Sequence, residues 1–206
     1  MEKPGMHTAR PTGRRRLLAA WVAPLLAMGL ANVLPAAAQT ASSDPWAALR
    51  EDGAIVLFRH AEAPGIGDPG GFRLGDCTTQ RNLSEAGRKQ ARRSGESLRQ
   101  QRIPVGAVWA SQWCRTRDTA ALMDLGPVRE EPAFNSFFDE RGDQAAQTAA
   151  ARRKLLDWHG PGALVVVTHQ VNITALTGLG VASAEGIVLQ RRGDTLAVTG
   201  RIAPPR

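Results

Sequence analysis

The sequence predicts an α/β fold built on parallel strands, and three observations carry that prediction. Ala54–Phe58, Val105–Ala110 and Ala163–Thr168 are short, nearly continuous apolar runs, the pattern of strands buried on both faces. Segments with helical spacing separate them, as βαβ units require. Each run ends abruptly in polar residues: Arg59-His60, Ser111-Gln112, and His169.

Taken in order, Asp44-Pro45-Trp46 supplies a cap and a first-position proline for a short helix reaching Arg50. The first strand follows. Pro64 to Arg81 is rich in Gly and Pro and lacks periodicity; a loop this long in a compact domain is often functional, and it leaves directly from Arg59-His60. Ser84 is an N-cap candidate for a helix ending near Gln101. Leu83, Gly87, Ala91, Ser94 and Leu98 form its apolar stripe, and Arg88, Lys89, Arg92 and Arg93 its solvated face.

After the second strand, a helix runs to about Met123 and places Arg115 at a strand-to-helix turn, where backbone N–H groups favour an anion. Val128 begins a short extended piece, Phe134 to Gly142 is a loop, and Gln144 to Trp158 is helical. The third strand ends in His169, a helix covers Asn172 to Leu179, and Glu185–Gln190 with Thr195–Arg201 reads as a hairpin around Arg192-Gly193-Asp194. There is no internal repeat.

The formal charge of +7 is unevenly placed. Residues 1–38 hold five of the 26 cations and one of the 19 acids, leaving 21 and 18 in the remainder. That near balance, without cations interleaved with aromatics, argues against nucleic-acid binding. Residues 1–38 have the make-up of an export signal: Arg14-Arg15-Arg16, an apolar Leu17–Leu34, and Ala36-Ala37-Ala38 for cleavage. Arg-Arg-x-Leu-Leu is similar to a twin-arginine signal, with Gly13 where Ser or Thr is usual. The expected organisation is a signal at 1–38, a linker and short helix at 39–51, and one domain at 52–206, periplasmic or secreted and without stable membrane insertion after cleavage. In an oxidising compartment Cys77 and Cys114 are disulfide candidates, since both flank segments placed at the same end of the sheet.

Arg59, His60, Arg115 and His169 collect at the carboxyl ends of three strands, where open α/β sheets bind ligands. Two guanidiniums and two imidazoles suit a tetrahedral dianion. A neutral imidazole is a nucleophile for phosphorus, and the second is placed to hydrogen-bond the phosphoryl oxygens. Two metal ligands beside two cations make a metal site unfavourable. A Ser-His-Asp triad lacks its Gly-x-Ser-x-Gly elbow.

Arg59-His60-Ala61-Glu62, Asn82-Leu83-Ser84-Glu85-Ala86-Gly87, Ser111 through Arg115 with Thr119-Ala120, and Val167-Thr168-His169 closely resemble the histidine phosphatase superfamily. Within it they resemble the branch of phosphoglycerate mutases and small bacterial phosphohistidine phosphatases. The resemblance covers roughly residues 52–180. It implies a three-layer α/β/α sandwich with a mostly parallel central sheet, and hydrolysis of small phosphorylated substrates without cofactor or metal. It also implies a phosphohistidine on His60, a phosphate pocket of Arg59, Arg115 and His169, and a supporting role for Glu62.

Asn82 is assigned to substrate binding. Gln170 and Asn172, where many members have Gly after the second histidine, offer amides for phosphate or substrate, or for capping the next helix. The loop matching the mutases' acid reads Phe134-Asn135-Ser136-Phe137-Phe138, so the proton donor is assigned to Glu140, with Asp139 as alternative. The expected activity is that of an exported phosphomonoesterase of the histidine acid phosphatase type. The alternatives are a phosphoramidate or phosphohistidine phosphatase and a non-catalytic phosphate-binding envelope protein.

Overall fold

The computed structural model describes residues 44–140 and 142–205, without the side chain of Glu140. The predicted export signal and residues 39–43 lie outside the described residues.

Six strands form one mixed sheet: β1 (Ile55–Arg59), β2 (Val105–Ala110), β3 (Val128–Glu130), β4 (Ala163–Thr168), β5 (Gly186–Arg192) and β6 (Thr195–Ile202). Their spatial order is β3-β2-β4-β1-β5-β6. The first four are mutually parallel, and β5 pairs antiparallel with β1 and β6. Strand alternation sends Val56, Phe58, Val108, Val165 and Val167 to one face and Ile55, Leu57, Trp109, Leu164 and Val166 to the other. The first set packs with α1 (Pro45–Leu49), α2 (Glu85–Gln100) and α3 (Cys114–Met123) through Leu49, Leu98, Ala120 and Met123. The second packs with α4 (Gln144–Leu156) and α5 (Gln170–Thr177) through Leu155, Ile173 and Leu176. The result is the three-layer sandwich.

Most element boundaries follow the sequence to within a residue or two. The side chain of Asp44 caps α1, and Leu49 is fully buried, so the short helix is part of the core. Ser84 caps α2 by accepting from the Gly87 N–H, and the buried residues of α2 include Gly87, Ala91, Ser94 and Leu98. One helix starts earlier than expected. α5 begins at Gln170, because His169 is already extended and takes the N-cap position.

Register explains what meets at the carboxyl edge. Arg59 lies opposite Thr168, so the next residues, His60 and His169, leave adjacent strands side by side. Ala110 lies opposite Val167, which brings Ser111 beside the same point.

Candidate active site

A cleft of about 330 Å³ opens there, lined by Arg59, His60, Arg81, Arg115, His169 and Gln170. Gly65, Ile66, Gly67, Ser136, Phe138 and Val171 complete it. The two imidazoles are 3% exposed each, with ring centroids 5.6 Å apart. Of the assigned residues, Arg59, His60, Arg115, His169 and Gln170 therefore converge.

The hydrogen bonds assign the tautomers. His60 Nδ1 lies 2.7 Å from the Ala61 carbonyl oxygen, which only accepts; Nδ1 carries the proton and Nε2 keeps its lone pair. Thr116 Oγ1 lies 2.7 Å from the Trp113 carbonyl and 2.9 Å from that of Ser111, which commits its one proton. Ser111 Oγ, 2.7 Å away, must then donate to Thr116 Oγ1 and accept from His169 Nε2–H at 2.8 Å. His169 Nδ1 is thus the bare nitrogen of that ring. Burial, reinforced by the Arg115 charge, lowers the His60 pKa to about 3 and holds His169 well below its ordinary value. Both rings are neutral at neutral pH.

Three guanidiniums supply the positive charge. Arg59 donates from Nη1 to the Val181 carbonyl at 3.1 Å, and its Nε is buried without a partner. Burial, and then the neighbouring Arg115, lowers its pKa. Arg115 is 3% exposed and meets Asp68 end-on, with Nη1 at 2.7 Å and Nη2 at 3.3 Å from the two carboxylate oxygens; its Nε is also buried without a partner. Burial pushes the Asp68 pKa up, but hydrogen bonds from Arg115 and Trp113 outweigh it and leave the carboxyl below its ordinary value. Arg81 donates to the Ala63 and Gly67 carbonyls, which curls the loop around it. Two buried, orphaned Nε–H groups on cations are donors lacking an acceptor, and an oxyanion would satisfy both.

The long loop is stapled in place. A disulfide joins Cys77 to Cys114, with Cα atoms 5.7 Å apart, matching the expected pairing. Gln80 accepts from the Cys114 N–H at 2.9 Å, so the loop satisfies one of the first N–H groups of α3. Phe72 stacks on Trp113, whose indole N–H donates to Asp68. The N-terminus of α5 has no side-chain cap, and its first two residues line the cleft, adding helix-end positive potential.

Not every assigned residue reaches the cleft. Asn82 does not line the cleft; its amide donates to the Cys77 and Gln80 carbonyls and shapes the loop. Asn172 does not line the cleft; it is on the buried face of α5 and donates to the Asn135 carbonyl. Asp139 is absent from the lining, although it is exposed beside Gly67. The side chain of Glu140 lies outside the described residues. Glu62 accepts from the Ser84 hydroxyl at 2.8 Å and so braces the strand end against α2. Arg81 and Asp68 escaped the sequence reading; the one available signal was their place in a long Gly/Pro loop leaving the Arg-His pair. Among the described residues, no group of three or more His, Cys, Asp or Glu is arranged to hold a metal.

The histidine phosphatase superfamily (branch 1) family model matches residues 55–137. No curated protein matches the sequence. Several solved structures share the fold. The protein histidine phosphatase SixA complexed with tungstate is 13% identical, with a TM-score of 0.54 over 73% of this chain and 97% of SixA. YhfR of Bacillus stearothermophilus is 17% identical, with a TM-score of 0.55 over 70% of this chain and 94% of YhfR. The mycobacterial glucosyl-3-phosphoglycerate phosphatase with VO3 is 18% identical, with a TM-score of 0.52 over 70% of this chain and 96% of that enzyme. The chain is thus similar to the histidine phosphatase superfamily, branch 1, over residues 55–137, and it shares the fold of these phosphatases.

Proposed function

We propose that this protein is a phosphatase that cleaves phosphomonoesters through a covalent phosphohistidine on Nε2 of His60. The observation that carries the reading is the pair of neutral imidazoles in one cleft with three guanidiniums, two of which keep a buried Nε–H without a partner. The phosphoryl oxygens take the Arg59 and Arg115 donors, His60 Nε2 attacks phosphorus, the P–O bond to the leaving group breaks as the P–N bond forms, and the leaving oxygen takes a proton from solvent. Water then attacks phosphorus and gives up a proton to solvent, the P–N bond breaks with its electron pair returning to His60 Nε2, and phosphate leaves.

His169 presents a bare Nδ1 in the free protein, so it hydrogen-bonds a phosphoryl oxygen only after taking a proton. A bound dianion favours that protonation, opposing the burial and arginine charge that hold the ring neutral. The guanidiniums disfavour a metal ion, so turnover is expected to be metal-independent.

A phosphoramidate or phosphohistidine substrate is the second reading. What favours it is that the described lining residues include no carboxylate, since such leaving groups need less help from a general acid, and the likeness to SixA. An exported, periplasmic or secreted location rests on the make-up of residues 1–38 and is tested by cell fractionation.

Brief mixing with 32P-labelled substrate and acid quench is expected to trap a labelled, acid-labile phosphoenzyme. His60→Ala is expected to abolish the label, and EDTA to leave turnover intact. Turnover that survives His60→Ala and needs a metal would overturn the reading.

A further inference from the structure

Four large apolar side chains are strongly exposed among the described residues: Ile66, Leu74, Phe138 and Val198. Two of them, Ile66 at 91% and Phe138 at 41% exposed, line the cleft, and they come from separate segments. Ile66 sits between Gly65 and Gly67, both at positive φ, a backbone path that only glycine follows without strain. A Cβ on Gly67 would lie 3.7 Å from the Phe138 ring, so the loop passes directly against that aromatic. Val171 is a third apolar residue of the lining.

The charges close without a second anion. Arg59, Arg81 and Arg115 carry three positive charges, Asp68 on Arg115 returns one, and the imidazoles are neutral. The free protein thus offers a net two positive charges to one phosphoryl dianion, before His169 takes its proton. Among the described residues the lining offers no further cation to a carboxylate or a second phosphate on the substrate, and exposed Asp139 beside Gly67 repels one.

We propose that the substrates are phosphomonoesters of uncharged, apolar alcohols, with the phosphoryl group on the arginines and the apolar group against Ile66 and Phe138. This rests on the phosphatase reading above and narrows it.

The test has two arms, both on the full-length protein. Calorimetry compares methyl-, butyl- and hexylphosphonate, which bind without turnover. Hydrolysis compares ethyl, butyl and hexyl phosphate with glucose 6-phosphate and 3-phosphoglycerate, whose leaving groups are polar or charged. Partial burial of four methylenes is expected to give hexyl over ethyl, in kcat/KM, an advantage of about tenfold or more. Hexylphosphonate is expected to bind more tightly than methylphosphonate by about the same factor. In the Ile66→Ser/Phe138→Ala double variant both ratios should fall towards one; these side chains are exposed, so the fold does not depend on them.

Ratios near one in the wild type, ratios unchanged in the double variant, or a preference for 3-phosphoglycerate would each overturn the proposal. If the phosphonates show the apolar preference but no ester is cleaved, the phosphatase reading falls and the apolar mouth stands. If the esters are cleaved without chain-length dependence, the reverse holds.

Discussion

Arg115 shows how much of the site depends on one residue that carries no chemistry of its own. Its side chain is buried, and both terminal nitrogens meet the Asp68 carboxylate, leaving its Nε–H without a protein acceptor. Removing that carboxylate strands a buried cation, a change that typically costs about 3–5 kcal/mol. Asp68→Ala is therefore expected to lower the urea midpoint and to raise KM for phosphomonoesters by about tenfold or more, the equivalent of about 1.4 kcal/mol of lost binding. Steady-state kinetics beside a denaturation curve would separate the two effects, and an unchanged KM would contradict this positioning role. The residues with chemistry at strand ends were legible because strand periodicity locates them. Asp68 and Arg81 were not, since a Gly/Pro loop has no period from which a side chain's direction can be read.

At the scale of elements, α2 must lie close against the strand end that carries His60. Glu62 accepts from both the N–H and the hydroxyl of Ser84, and a Cβ on Gly87 would fall 2.1 Å from the Glu62 carbonyl oxygen. The obstacle is backbone, which cannot rotate away, so Gly87→Ala is expected to cost at least the 1–3 kcal/mol typical of overpacking. It should also reduce kcat by displacing His60; a variant with wild-type stability and rate would refute the close approach. The Cys77–Cys114 disulfide closes 37 residues of sequence separation and ties the loop bearing Asp68 and Arg81 to the start of α3. Cys77→Ser/Cys114→Ser is expected to lose about 2–4 kcal/mol of stability. If the loop positions the arginines, the inhibition constant for inorganic phosphate should rise as well. The pairing was legible from the expected placement of both cysteines at one end of the sheet, whereas the burial of Asn172 was not, because the start of α5 was expected two residues later.

Across the whole molecule, two imidazoles buried neutral make stability depend on pH. The folded-state pKa of His60 is lowered from 6.5 to about 3, so the unfolded chain binds the proton first. Its contribution is complete above about pH 6.5 and is lost as pH falls towards 3, with a slope of up to about 1.4 kcal/mol per pH unit. His169 acts in the same direction. Asp68, lowered from 3.8, adds a further loss at the acid end. Urea unfolding midpoints are expected to fall steadily from pH 6.5 to pH 4, and His60→Phe should flatten that slope. A midpoint independent of pH over this range would show that the rings are not held neutral.

The order of strands and helices, the buried sheet and the delivery of Arg59, His60 and His169 to one edge follow from the sequence alone, because period and strand length are local properties. The four cations and imidazoles predicted to converge do so because a parallel register puts Arg59 opposite Thr168. Tertiary structure alone decided the third guanidinium, the carboxylate that orients Arg115, the tautomer of His169 and the apolar mouth. Each of those depends on where a loop folds back and which atoms it reaches, and nothing in the local chain encodes that distance.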